Sequence, residues 1–367
     1  NFKINSEILV HELMIPNNLK LKRFFPKQKK TISFFDQKIK LKYEKNNFAF
    51  EGNGNLLYQV DNDDINYFFS NKDKTKNFEI IFRIKDNPFK VDYLNYKKKE
   101  ENEIVLNFKG SQNKNNELVI KSFNLNEDEN FIKIKNLVFN EKLQISGLDE
   151  VDLDYLDQDR QKNLIRLKKN KKKYYLTGSS FNADNFIEDL LSNDDEDSKI
   201  TDINGNLKID IEKIFLDSEY YLTDFKGDIL IKNNEIQKAN LIGSFSKNKK
   251  LKFVINSVDN NKITTLFVDE AKPLIKRYKF IKGFDEGSLD FYSSKKSKKS
   301  VSQIKIYDFK LKELPILTKI LTLASLQGIA DILSGEGIRF TEFEMNFKNE
   351  GNLMTIDEIY AIGPAIS

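Results

Sequence analysis

Apolar and polar residues alternate with a period of two along most of this chain, which predicts β-strands with one buried and one wet face. The pattern is clear in Lys38-Ile39-Lys40-Leu41-Lys42-Tyr43, Phe78 to Ile84, Phe131 to Lys135, Leu207-Lys208-Ile209-Asp210-Ile211, Leu251 to Ile255 and Ile304-Lys305-Ile306. Clusters of Asn, Asp, Gly and Lys between such segments read as turns, among them Asn53-Gly54, Asn204-Gly205 and Glu350-Gly351-Asn352. A loose unit of Gly, any residue, apolar, any, apolar recurs at Gly54, Gly205, Gly227 and Gly287, and begins at Gly351 before Thr355 breaks it. Its copies are irregularly spaced, so it reads as repeated turn-into-strand chemistry and not as a solenoid of fixed period.

Three segments depart from the alternation toward a helical pattern. Ala183 to Leu191 places Phe186, Ile187, Leu190 and Leu191 on one side, and Val268 to Tyr278 contains Pro273. The third is Leu314 to Phe340, where Ile320 to Ala330 carries no charge. There Pro315 suits a first helical turn, Ile316, Leu317, Ile320, Leu321, Leu323 and Ala324 cover most of the circumference, and Gly328 breaks the run. A helix apolar on so many sides is buried against something apolar. Two readings stay open: a core helix plugging a sheet, or a cap that closes or gates an apolar cavity. Asp194 to Asp197 reads as an exposed loop.

Composition narrows the classes. Hydrophobic residues at 39% and aromatics at 12% suffice for a sizeable core and exclude a disordered tail. Sixty basic against 56 acidic residues give a net charge of +4, which does not argue for nucleic acid. Without Cys there is neither a disulfide framework nor a thiolate metal site. The single histidine, His11, stands far from any Ser or Cys nucleophile motif. No GxxxxGK[ST] loop occurs, and Gly335-Glu336-Gly337 does not extend to a dinucleotide fingerprint. The chain is therefore expected not to be an enzyme and to hold no cofactor or metal. Asp152, Asp154, Asp157 and Asp159 have the wrong spacing for a calcium loop and read as a solvated strand edge. Lys168 to Lys173 reads as a hairpin tip between Leu164–Leu167 and Tyr174–Thr177, with contact to acidic headgroups as the weaker alternative. The longest uncharged apolar run falls short of the ~20 residues a membrane-spanning helix needs. The chain starts at Asn1 without a Met or a leader and reads as a fragment, with any membrane anchor outside it.

Leu314-Pro315-Ile316-Leu317, Leu323 to Ile329 and Leu333-Ser334-Gly335-Glu336-Gly337-Ile338-Arg339-Phe340 together resemble the C-terminal region of AsmA-like envelope proteins of the YhdP type. The order of flanking pieces agrees: Asp269-Glu270-Ala271 through Leu274 and Phe284 to Gly287-Ser288-Leu289 upstream, and Glu350 to Leu353 and Gly363-Pro364-Ala365 downstream. Gly178 to Ala183, before a short helical segment, is similar to the family's middle portion. The likeness spans about 174–367, so the chain divides into a strand-rich part, 1–173, and an AsmA-like part, 174–367, in one continuous architecture. Family members continue beyond the point where this chain stops and carry an N-terminal transmembrane helix.

The resemblance implies an elongated, curved antiparallel sheet forming an apolar-lined trough of the bridge-like lipid transfer type. It implies a bacterial periplasmic protein, anchored in the inner membrane, that serves phospholipid transport toward the outer membrane and envelope integrity. Phospholipids and other envelope proteins are the implied partners. Alternation alone nominates the groove residues Leu207, Ile209, Ile229, Ile231, Phe253, Ile255, Leu289, Phe291, Ile304 and Ile306. The capping helix is expected over 315–333, through Pro315, Leu317, Ile320, Leu321 and Ala324. The competing expectation is a structural or adhesive β-rich envelope protein whose core is closed and carries nothing.

Overall fold

The computed structural model describes residues 3–45, 47–72, 75–141, 144–185, 204–232, 235–246, 248–276, 283–313, 337–351 and 353–364. The chain is mainly β, and every strand pairing among the described residues is antiparallel, as the period of two predicts. It divides into two compact units, one within 1–204 and one mostly over 205–367. The expected boundary at 173/174 falls within a strand at a hairpin tip, where Asn170 faces Lys173.

Unit 1 contains β1 (Lys3–Pro16), β2 (Thr31–Glu44), β3 (Asn47–Leu57), β4 (Asn62–Lys72), β5 (Thr75–Ile84), the short pair β6 (Lys90–Val91) and β7 (Tyr96–Lys97), β8 (Ile104–Gln112), β9 (Leu118–Glu127) and β10 (Asn130–Phe139). It continues through β11 (Ile145–Gly147), β12 (Glu150–Leu156), β13 (Lys162–Asn170) and β14 (Lys173–Asn182). The long strands pair with their neighbours in chain order, and β5 passes over the β6–β7 excursion to pair with β8.

Cross-strand register carries one apolar row across eight strands: Ile65, Phe82, Leu106, Leu125, Ile132, Leu153, Ile165 and Gly178. Its side chains are buried on the margin to which the segment 85–103, between β5 and β8, is bonded as a strap, Asn87 to Asp63, Tyr96 to Glu127 and the Leu94 carbonyl to the Tyr155 hydroxyl. Aromatic rings fill the seam, with Phe25 5.0 Å from Tyr58 and 5.3 Å from Phe89, and Tyr96 5.8 Å from Tyr155. The adjoining row of the same face, Tyr67, Ile80, Phe108, Phe123, Ile134, Val151 and Leu167, is only half buried.

Unit 2 contains β15 (Gly205–Phe215), β16 (Tyr221–Lys232), β17 (Glu235–Ser244), β18 (Lys250–Val258), β19 (Asn261–Val268), a single helical turn α1 (Lys272–Ile275), β20 (Phe284–Lys296), β21 (Lys299–Leu311), β22 (Ile338–Glu350) and β23 (Leu353–Ile362). The strands again pair in chain order. The buried cluster lies under α1. Ala271 and Ile275 pack on Leu289, Ile306, Ile338 and a stack of three rings, Phe284–Phe309 at 5.3 Å and Phe309–Phe340 at 5.0 Å.

Several local expectations are corrected. Of the helix anticipated over Val268–Tyr278, the described residues form only α1, because Val268 is held as a strand residue between Leu251 and Leu289; 277 and 278 lie outside the described residues. Asn53-Gly54 is not a turn: Gly54 sits inside β3, where a Cβ would stand 2.2 Å from Gln37 Nε2 and 2.7 Å from the Phe35 carbonyl. Gly227 and Gly287 likewise lie within β16 and β20 and mark close strand approach, while Gly205 opens β15 and Gly351 lies in the turn before β23, as the sequence predicts. At Gly287, φ is +82° and a Cβ would meet that of Phe309 at 2.8 Å. The aspartates of 152–159 do not form a strand edge, since β12 pairs on both sides. Asp157 is buried, accepting from Asn163 and Asn182 side chains at 3.2 and 2.8 Å. The Lys168–Lys173 hairpin tip is where the sequence places it. Asp184 and Asn185 are helical, while the rest of the helix expected over Ala183–Leu191, the loop at Asp194–Asp197 and most of Leu314–Phe340 lie outside the described residues.

Candidate apolar-face site

All ten nominated groove residues occupy one face of the unit 2 sheet. Leu207 faces Ile229, Ile229 faces Ala239, and Ala239 faces Ile255. One row further, Ile209 faces Gly227, followed by Leu241, Phe253, Leu266, Phe291, Ile304, Met345 and Ile359. A third row carries Leu251, Val268, Leu289, Ile306, Phe343 and Ala361. Ile231 pairs with Gly205 on one side and Ile236 on the other, and alternates with Ile229 on the same face.

Burial of these positions is graded. Leu289 and Ile306, next to α1, are 5% and 4% exposed, and Ile209 and Ile255 are also buried. Leu207, Ile229, Ile231, Phe253, Phe291 and Ile304 are half buried. The nominated positions come from β15, β16, β18, β20 and β21, and the same rows also run through β17, β19, β22 and β23. In β17 the residues Ile236 and Gln237 break the period with a register shift, and Ile263-Thr264-Thr265-Leu266-Phe267 in β19 has no clean alternation. Capping-helix positions Pro315, Leu317, Ile320, Leu321 and Ala324 lie outside the described residues.

The opposite face mixes charged residues with exposed apolar ones such as Ile242, Phe267 and Val301. Lys208 and Lys252 point to it by alternation, as do Asp210, Lys226 and Asp228. Toward β23, the Lys305 ammonium lies 2.8 Å from Glu344 and 3.7 Å from Glu342, and Tyr360 donates its hydroxyl to Glu344 at 2.7 Å. Gln303 Nε2 adds bonds to Glu344 and Asn346 at 2.8 and 3.0 Å. The Lys305 bond first, then those from Tyr360 and Asn346, hold Glu344 down at about 2, and Glu344 in turn pushes Tyr360 up to about 12. One ammonium and two carboxylates, linked through Tyr360 and Gln303, tie β21, β22 and β23 together on this face.

In unit 1 the apolar face opens into a cavity of about 460 Å³ walled by Val10, Leu13, Phe34, Phe50, Tyr67 and Phe69. That volume is within the range of small-ligand pockets. The wall is almost all carbon, because the Gln37 amide turns its nitrogen to the Phe35 and Asn55 carbonyls, each at 2.9 Å, and its oxygen is sequestered. Behind the covered margin the strap is riveted by buried polar groups. Asn87 accepts from the backbone N–H of Val60 and Asp61 and donates to Asp63. Glu127 accepts from the Tyr96 hydroxyl at 2.9 Å and the Lys99 N–H at 2.8 Å. Burial, then the Glu127 charge, raises the Tyr96 hydroxyl far above the usual phenol value. These strap residues carry no sequence period and were not foreseen.

His11 is exposed, with its Nδ1 3.9 Å from the Asp36 carboxylate. Among the described residues no cluster of His, Cys, Asp or Glu has the arrangement to hold a metal, and no helix is long and apolar enough to cross a membrane. No family model, curated protein or solved structure matches this chain.

Proposed function

We propose that this chain is a section of an AsmA-like envelope protein of bacteria that carries phospholipid acyl chains along the apolar face of its sheets, between inner and outer membranes. The observation that carries the reading is the apolar face of unit 2, where ten nominated apolar positions fall on one side in cross-strand rows and six of them stay half buried. Moving an acyl chain through water costs roughly 0.8 kcal/mol per exposed methylene, so a two-chain lipid of ~30 methylenes meets a barrier of order 20 kcal/mol. A continuous apolar surface removes most of that barrier while the headgroup stays in water. Such transport needs no acid, base, cofactor or metal from the protein, and the reading involves no nucleic acid. Periplasmic location, an inner-membrane anchor outside this chain and contacts with other envelope proteins belong to the same proposal.

The test is native mass spectrometry with lipid extraction on the chain purified in mild detergent. Stoichiometric phospholipid is expected, and it is lost when Ile231 and Phe253 become Asp but kept when Lys208 and Lys252 do. Equal effects at both pairs, or a folded, monodisperse chain without lipid after incubation with liposomes, would replace this reading with the closed structural one.

A further inference from the structure

Along β19, β20 and β21 the apolar face of unit 2 changes chemistry in steps. From the margin beside α1, the cross-strand rows are Val268–Leu289–Ile306, then Leu266–Phe291–Ile304, then Thr264–Ser293–Ser302, and last Lys262–Lys295–Ser300. Residues two apart on a strand share a face at a spacing of ~7 Å, so the lysines stand about 20 Å from the first row. The third row is polar but satisfied, with Ser302 Oγ donating to Ser293 Oγ at 2.9 Å.

The last row is not satisfied. It sets two ammonium groups directly opposite one another, an arrangement that destabilises an antiparallel pair. Neighbouring Lys299 has Glu350 at 2.9 Å, but neither Lys262 nor Lys295 has a carboxylate at ion-pair distance among the described residues. Burial, and then the charge of Lys295, pull Lys262 below the usual lysine value, with Glu235 of β17 opposing. A cation pair, with Lys262 half buried and Lys295 exposed, that faces the same way as an apolar surface lacks one thing, an anion that brings its own hydrocarbon.

We propose that Lys262 and Lys295 receive the anionic headgroup of a lipid whose acyl chains lie down the rows toward Leu289 and Ile306. The lengths agree. A chain reaching half of a ~30 Å hydrocarbon core is ~15 Å long, and the hydroxyl row to the Leu289 row spans ~14 Å. The inference rests on the apolar face being an acyl-chain site and adds the headgroup class and the direction in which the lipid lies.

The experiment offers the chain an equimolar mixture of phosphatidylglycerol and phosphatidylcholine with identical acyl chains and reads bound lipid by native mass spectrometry at low salt. A lysine near an anionic lipid contributes about fivefold in affinity, so the pair should favour phosphatidylglycerol by about 25-fold. The double variant Lys262→Gln, Lys295→Gln should lose the preference and still bind phosphatidylcholine, and Lys262→Arg with Lys295→Arg should restore it. Equal binding of both lipids by the unaltered chain overturns the headgroup assignment and leaves the acyl-chain reading standing. Binding of neither lipid overturns both. A preference that survives the Gln pair, or is not restored by the Arg pair, overturns the assignment to these two lysines.

Discussion

Asp63 offers a direct test of how the strap is held on unit 1. Its carboxyl, on β4, is 3% exposed, with Oδ2 accepting from Asn87 Nδ2 at 2.8 Å and Oδ1 buried without a partner. Burial pushes it up to about 7, against the opposing Asn87 amide and Lys85 backbone N–H, with the charges of Asp61 and Asp86 adding to the rise. Lys98, also on the strap and itself drawn down by burial, is the cation facing Asp63, Asp86 and Glu127. An acid whose folded value lies above its unfolded one binds more protons when folded. Its stabilisation is complete below pH 3.8, declines as pH rises toward 7, and is lost above that. A rise of about three pH units corresponds to ~4 kcal/mol, and discounting for water that reaches the site leaves about 2 kcal/mol. Amide exchange across 85–103, corrected for intrinsic rates, reads the effect locally. The strap should open ten- to hundredfold more readily at pH 8 than at pH 5, and Asp63→Asn should flatten that dependence. An unchanged pH slope in the Asn variant would show that Asp63 does not govern the strap.

Two further substitutions probe the framework. Phe309→Ala removes the middle ring of the Phe284–Phe309–Phe340 stack beneath α1 and should destabilise unit 2 by about 3–5 kcal/mol in urea denaturation, a loss under ~1 kcal/mol contradicting the core assignment. Gly54→Ala should cost about 1–3 kcal/mol in unit 1, because the Gln37 side chain can swing away but the Phe35 carbonyl, 2.7 Å from the new Cβ, cannot; a neutral substitution would refute that close approach.

The strands were legible because their code is local. A period of two survives in Leu207 to Ile211 or Ile304 to Ile306 whatever they face, and register then places those residues on one side. What was not legible depends on contacts far apart in the chain. Nothing around Asn87 announces that it will bind the β3–β4 connection 26 residues away, and nothing around Asn182 announces its bond to Asp157. Glycines misled for the same reason: Gly54 and Gly287 look like turn residues locally, but their lack of a side chain serves the neighbouring strand. Clean alternation nominated ten positions that register places on one face. Leu241, Leu266 and Met345 were not, since each needs the partner strand's register to show which face it joins. Lys262 escaped notice because a lone lysine in a lysine-rich chain is uninformative until Lys295 is seen across from it.

The pattern of burial and chemistry on the unit 2 face bears on the choice between an open and a sealed surface. In a closed sandwich, burial is set by the opposing sheet and stays high across a whole face. Here it varies across the face: Leu289, Ile306, Ile209, Ile255 and Ser302 are buried, whereas Leu207, Ile229, Phe253, Phe291 and Ile304 are half buried. Along β19, β20 and β21 the outer rows carry hydroxyls and then lysines, where a fully covered core would carry apolar side chains. Their sequence of chemistries instead matches that of an amphiphile lying along the strands, hydrocarbon inward and charge outward. Apolar area left half covered stands at roughly 25 cal/mol per Å² above its buried state. An acyl chain laid over Phe253, Phe291 and Ile304 recovers that difference without moving the backbone, which is why a preformed face of this kind serves a passing ligand better than a core that must first open.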